Sequence, residues 1–318
     1  MKFILNSIAV IATVSVQGYK FMHALGYVLI ILGTLLVVSG AFMSLRSVKS
    51  RKELSKKGRF KKGKGLILSA ESLLGDREYQ QDYFIYPRVE YNELTSSIGK
   101  MAIVCDGMGG LEGGARASRL CAELVYKGFY QIGSTENICH VLSELVLAAN
   151  TEITNLVGDD GRKLNSGTTI VAAVVSGNTV SWVSAGDSRI YLYHDRRLMQ
   201  ITRDHNYRIT LRERYNAGLI TQAQIESDPQ RDALISYVGR GETIIIDSGT
   251  INFDSKAGDI LVLCSDGLYK YLSDEKILEL IHSNAKRPNE LAAILAKAAL
   301  NENGRKKHDN ITVLTVSG

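Results

Sequence analysis

Two apolar runs in this chain end on the same pair of residues. Met101, Ala102, Ile103, Val104 and Cys105 lead into Asp106-Gly107, and Ile260, Leu261, Val262, Leu263, Cys264 and Ser265 lead into Asp266-Gly267. Short apolar runs bounded by glycine turns read as core strands, and an Asp at a strand end can aim its oxygens into a cleft between loops. Two such ends could converge on one hard cation, because Mg²⁺ and Mn²⁺ favour carboxylate, carbonyl and water oxygens. Taken singly, each pair reads first as an ordinary turn, since Asp-Gly is among the commonest turn dipeptides.

The elements that must carry these residues lie in positions 65–318, which hold only 3 Pro and no repeat or low-complexity tract. That length is enough to bury one substantial core. Strand-like runs fall at 66–70, 83–86, 98–105, 168–176, 179–185, 189–193, 243–253, 259–264 and 311–316. Ser176-Gly177-Asn178 joins two of them at hairpin distance and Gly186-Asp187-Ser188 joins the next two, which argues for antiparallel pairing in both places. Helical patterns occupy 113–130 with 134–157, then 274–283 with 288–301. Strands bunched between paired helices predict an α+β fold, with antiparallel sheets covered by helices rather than a doubly wound arrangement. Residues 204–240 are polar and only partly helical, at 207–216 and 221–226, and read as a flap over the surface beside the site.

The first 64 positions are of another kind. Residues 24–45 carry no charged side chain and are long enough, as a helix, to cross a bilayer core of about 30 Å. A weaker apolar stretch at 3–19 carries Asn6, Ser7, Ser15 and Gln17, and reads as a first span, an interfacial helix or a signal-like segment, the first of these preferred. Residues 46–64 then hold ten Lys or Arg against the single acid Glu53. By the positive-inside rule this flank is cytoplasmic. The expected organisation is a membrane anchor over 1–45, a basic juxtamembrane linker over 46–64 and a domain over 65–318. The whole chain is only +5, so outside the linker it is net acidic. The basic balance therefore marks a tether, with no nucleic-acid partner expected. Such a linker is also drawn to anionic lipid, at about 1 kcal/mol per basic residue near the surface, or serves as a plain orientation signal.

Cys105, Cys121, Cys139 and Cys264 show no paired spacing and are expected as buried thiols. A glycine-rich loop for a nucleotide is excluded at Asp106-Gly107-Met108-Gly109-Gly110, which has neither the following Lys-Ser/Thr of a P-loop nor dinucleotide-type glycine spacing.

Further polar clusters punctuate the domain: Arg77 with Gln81-Asp82, Ser166-Gly167-Thr168-Thr169, Gly186-Asp187-Ser188-Arg189, and His308-Asp309-Asn310-Ile311-Thr312. With the two Asp-Gly ends, these six motifs resemble the metal-dependent Ser/Thr protein phosphatases of the type 2C family, in that family's order and over essentially all of 65–318. The resemblance implies an α-β-β-α sandwich, two packed antiparallel sheets flanked by pairs of helices. It implies two Mn²⁺ or Mg²⁺ ions, bridged by Asp106, with the Gly107 carbonyl on the first and Asp266 and Asp309 on the second. Two cations sharing a carboxylate acidify a bridging water, and the resulting hydroxide attacks phosphorus. The glycines at 107, 109 and 110 suit close backbone approach to ions and phosphate. The resemblance assigns Arg77 to the substrate phosphate, which a guanidinium fork matches bidentately; on its own, Arg77 reads as a surface ion pair with Glu78 or Asp76. Asp82 orients a water, Asn310 supports Asp309, His308 is a solvated turn residue, and 166–169 is packing.

The chain also departs from the family's pattern. In bacterial-type members the aspartate matching Asp187 helps hold a third, weaker ion, but a partner acid four residues after the Asp266 equivalent is here Lys270, a cation that could pair with Asp187 instead. Met108 stands where animal-type members carry a His, and Gln81 replaces a Glu near the second ion. Both substitutions resemble bacterial members. The expectation is a phosphoprotein phosphatase with a monomeric catalytic domain at the cytoplasmic face of the cell membrane, acting on phosphoproteins of a partner Ser/Thr kinase. The rival is a tethered phosphoprotein-binding scaffold with the fold but no turnover, against which the intact Arg77, Asp82, Asp106, Asp266 and Asp309 argue.

Overall fold

The computed structural model describes residues 65–318 apart from 88–97, 111–112, 134–135, 242 and 303–306. The expected anchor and basic linker lie outside the described residues. Among those described, no helix is long and apolar enough to cross a membrane.

Among the described residues, eleven strands build two antiparallel sheets. The first sheet runs β1 (Ile67–Leu73), β11 (Ile311–Ser317), β10 (Ile260–Cys264), β7 (Arg189–His194), β8 (Arg197–Gln200). The second runs β2 (Asp82–Ile85), β3 (Lys100–Met108), β5 (Ile170–Ser176), β6 (Thr179–Ala185), β9 (Asp247–Asn252), with the short β4 (Gly167–Thr168) paired to the end of β3. Helices α1 (Gly113–Ile132) and α2 (Ile138–Thr154) cover the second sheet, and α5 (Asp266–Tyr269), α6 (Asp274–Asn284) and α7 (Leu291–Leu300) cover the first.

Strand alternation sorts the core into three layers. Met101, Ile103 and Cys105 of β3 pack under α1 and α2, whereas Ala102 and Val104 join Val171, Ala173, Leu261, Leu263 and Leu314 between the sheets. Tyr191, Ile260, Val262 and Val313 face α6 and α7. Each central strand is buried on both faces, so its sequence reads as a continuous apolar run. Parity then decides where the polar residues go. Asp106 continues the inter-sheet face of Ala102 and Val104, Asp82 that of Phe84, and Ser265 that of Leu261 and Leu263. All three emerge between the sheets at one end of the sandwich.

The two short connections behave differently from one another. Gly177 (φ 60°) closes the hairpin between β5 and β6 as expected. Gly186-Asp187-Ser188 does not close a hairpin, because β6 and β7 belong to different sheets. Gly186 (φ 105°) presses on Thr169, whose Cβ would lie 2.7 Å from any Cβ added there, and the chain crosses the end of the sandwich instead of turning back. Strand β8 was not expected: its turn, Asp195-Arg196, takes positive φ at both residues (46° and 60°) without a glycine to mark it. Cys105, Cys121 and Cys264 are buried, but Cys139 is only half-buried, donating its thiol to the Gly249 carbonyl at 3.1 Å.

Within 204–240, α3 (Arg208–Asn216) and α4 (Gln222–Ser227) form, the latter opened by a capping box between Thr221 and Gln224. The segment is pinned to the sandwich. The His205 amide donates to the Gly186 carbonyl at 2.9 Å, and Thr168 bridges Val238.

Candidate metal centre

A cleft of about 290 Å³ opens at the end of the sandwich where those polar residues emerge. Arg77, Asp106, Gly107, Asp187, Asp266 and Asp309 all line it. Asp82 lies directly behind, opposite Asp106 in the β2–β3 register. Two carboxylates at facing positions of adjacent strands repel one another. Asp106 stands within β3, two residues short of its end; Asp266 opens α5, and Asp309 precedes β11.

Hydroxyls and amides hold this arrangement. Ser265 Oγ donates to Asp82 Oδ2 at 2.7 Å and accepts from the Thr312 amide at 3.0 Å. Thr169 Oγ1 accepts from the Asp106 amide at 3.0 Å, and its own amide, with Thr168 Oγ1, donates to the Asp106 carbonyl. The 166–169 motif therefore fixes the Asp106 backbone and is more than packing. Asn310 Oδ1 accepts from the Gln81 amide at 2.8 Å, its Nδ2 donates to the Leu74 and Tyr79 carbonyls, and its amide donates to Asp309 Oδ1. Gln81 Nε2 reaches the Gly109 carbonyl at 3.0 Å. A Cβ at Gly107 would lie 2.2 Å from the Gly114 carbonyl oxygen, so only glycine fits that crossing, whereas Gly110 faces open space.

Among the described residues, two basic side chains line the cleft. Arg77 donates to Asp309 Oδ2 at 2.6 Å rather than pairing with Asp76 or Glu78. Lys270 Nζ pairs with Asp266 Oδ2, one helical turn back, and not with Asp187 as the sequence had suggested. His308, expected to be solvated, is largely covered: its ring stacks on Tyr271 with centroids 4.4 Å apart. Asp232 and Leu234, from the flap, complete the cleft wall; no pattern in the sequence marked them.

Burial pushes the carboxyls of Asp82 and Asp187 up to about 7, and for both the charge of Asp266 adds to the shift. Asp106 lies well above the usual carboxylate range, through desolvation and then repulsion from Asp82, Asp266, Asp187 and Asp309. Asp266 is raised by burial, against the pull of Lys270. These shifts mark a site whose negative charges lack compensation.

Among the described residues, no three acidic, His or Cys side chains are gathered into a ready-made metal-ligand set. The donor chemistry nevertheless fits hard divalent ions. Every candidate ligand is a carboxylate or a carbonyl oxygen. Asp82 Oδ1 and Asp266 Oδ1 are buried without a hydrogen-bond partner. Such orphaned acceptors carry a desolvation cost of about 1–3 kcal/mol each, more when charged, which a bound cation would remove.

Two packed antiparallel sheets, helices on both outer faces and an acidic cleft at one end form a scaffold suited to holding hard divalent ions. A sequence profile described as protein phosphatase 2C matches residues 78–303, and the chain belongs to that family of protein-serine/threonine phosphatases. It is 30% identical over 220 residues to the serine/threonine phosphatase stp of Listeria monocytogenes, covering 68% of this chain and 83% of that one. The crystal structure of the Mycobacterium tuberculosis serine/threonine phosphatase PstP superposes with a TM-score of 0.63 at 30% identity, over 79% of this chain and 98% of that one. A structure of the PstP catalytic domain in complex with 2 manganese ions is 28% identical, with a TM-score of 0.61 over 79% and 97% of the two chains.

One prediction concerns the hidden support of Asp82. Ser265→Ala removes the hydroxyl that donates to Asp82 Oδ2 and leaves the Thr312 amide without its acceptor. We expect about 1–3 kcal/mol of lost stability, read as a lowered denaturation midpoint at unchanged slope.

Proposed function

We propose that this protein hydrolyses phosphoserine and phosphothreonine in protein substrates with two Mn²⁺ or Mg²⁺ ions. Asp106 would contact both ions, the Gly107 carbonyl one, and Asp266 and Asp309 the other. The observation that carries this reading is the convergence of five aspartates on one cleft end, two of them with buried oxygens that no group among the described residues satisfies. When bound, the ions would supply an acidified water for attack on phosphorus and neutralise phosphate charge.

The chain's own residues would do the rest. Arg77, whose side chain is 57% exposed, is free to swing from Asp309 to a substrate phosphate. Its planar fork fits phosphate oxygens in pairs, a geometry that the point charge of lysine does not reproduce. Asp82 Oδ1, buried and without a partner, can hold a proton near neutral pH, since burial raises that carboxyl to about 7. Met108 cannot donate a proton to the leaving group. Beside the cleft, a groove of about 770 Å³ lined by Arg208, Arg231, Tyr271 and Lys307 offers room for the polypeptide that carries the phosphate.

The reading extends to location. The uncharged run at 24–45 and the basic linker at 46–64 support a membrane anchor that holds the domain at the cytoplasmic face, near phosphoproteins made by a Ser/Thr kinase. Recovery of the full chain in the membrane fraction, resistant to high salt, is the expected result; release by salt alone contradicts it.

Hydrolysis of p-nitrophenyl phosphate tests the chemistry. The full chain should turn it over with Mn²⁺ or Mg²⁺, and Asp266→Ala should remove that activity. Arg77→Lys is expected to raise KM for a phosphopeptide about tenfold, the equivalent of ~1.4 kcal/mol, with a smaller change in kcat. An unchanged KM removes Arg77 from phosphate binding.

A further inference from the structure

Lys270 caps the single turn of α5, four residues beyond Asp266, and its ammonium meets Asp266 Oδ2. Asp187, only 4% exposed, lines the same cleft and the same groove as Lys270. The hydroxyl of Tyr269 donates to the Asp187 carbonyl at 2.9 Å, which ties the Gly186–Ser188 crossover to α5 and keeps these two acids at one corner of the cleft. Lys270 lines both the cleft and the neighbouring groove, so its charge faces the space that ions would enter.

We infer that Lys270 is the resident cation of the Asp187 and Asp266 corner, standing where a third divalent ion would otherwise be drawn, so that the cleft takes two ions and no more. The inference rests on the two-ion reading above and goes beyond it. Charge balance points the same way. With every carboxyl ionised, as bound divalent ions would favour, Asp82, Asp106, Asp187, Asp266 and Asp309, set against Lys270 and Arg77, leave three uncompensated negative charges, Asp232 of the cleft wall being paired with Arg208. Two divalent ions turn this into a single positive charge, suited to a phosphate monoester. A third ion would have to enter beside the ammonium that Lys270 holds against Asp266, and like charges at close range repel. With a neutral or acidic side chain at 270, the same corner would offer uncompensated carboxylates and no cation.

Ion stoichiometry tests this apart from catalysis. Mn²⁺ is titrated calorimetrically into the full chain and into Lys270→Arg, Lys270→Met and Lys270→Asp, with free Mn²⁺ counted in parallel by electron paramagnetic resonance. Two ions per chain are expected for the unsubstituted protein and for Lys270→Arg, which keeps the cation. One additional, weaker ion is expected for Lys270→Met and for Lys270→Asp; if the acidic variant does not fold, the near-isosteric methionine still decides. Three ions in the unsubstituted protein, or two in Lys270→Met, overturn the role given to Lys270 while leaving the two-ion centre standing. Fewer than two in the unsubstituted protein overturns both.

Discussion

Asp106→Asn is expected to give a protein that melts higher in chelator and no longer turns over phosphate esters. Asp106 faces Asp82 across β2 and β3 and lies among Asp187, Asp266 and Asp309, which together with burial hold its carboxyl well above the usual range. Facing like charges in a sheet cost up to about 1 kcal/mol, so the neutral amide should raise the melting temperature without metal by a few degrees. The same substitution removes the only carboxylate proposed to touch both ions. Loss of one preorganised charge-stabilising group costs about 10²–10³-fold in turnover, and loss of a shared ligand should reach at least the top of that range. Stability gained and activity lost in one variant is the signature of a residue kept for function at the expense of the fold. A variant that melts lower in chelator would mean that Asp106 has a structural role that outweighs the repulsion.

The second large effect is on pH. Asp82 and Asp187 titrate near 7 in the folded protein, against an ordinary 3.8. Between those values the folded state holds protons that the unfolded chain has lost. The metal-free protein should therefore be most stable near pH 4 as far as these groups are concerned, losing that contribution as pH rises and levelling off above about 7. A shift of this size in one buried acid is worth on the order of 4 kcal/mol. Divalent ions favour the ionised carboxylates and should offset the loss. The rise in melting temperature produced by Mn²⁺ is thus expected to be small at pH 5 and large at pH 8. An Mn²⁺ effect independent of pH would mean that these acids are already ionised without metal.

How far the sequence reveals this centre depends on the range of each interaction. Asp106 and Asp266 announce themselves, because each terminates an apolar run that strand burial requires. Asp309 has no such run before it, and it came only from the family resemblance; its contact with Arg77 joins residues 232 positions apart. The layers were legible because β3, β5 and β10 are unbroken apolar runs, as strands buried on both faces require, and lie between paired helical segments. The Gly186 crossover was not, since a glycine turn that closes a hairpin and one that steps between sheets use the same residues. Ser265 and Thr169 were visible only as small polar residues; their roles depend on partners, Asp82 and the Asp106 backbone, brought close by folding. Lys270 shows both sides of this. Its four-residue spacing from Asp266 is a helical contact that can be read directly, yet a helix of four residues was not expected there.

The most direct test is hydrolysis of a phosphothreonine peptide by the full chain, measured in Mn²⁺ and again in excess chelator. The proposed centre predicts turnover in Mn²⁺, none in chelator, and recovery when Mn²⁺ is restored. Undiminished turnover in chelator would contradict metal-dependent hydrolysis at this cleft, and no turnover with Mn²⁺ or Mg²⁺ would leave a phosphoprotein-binding scaffold in its place.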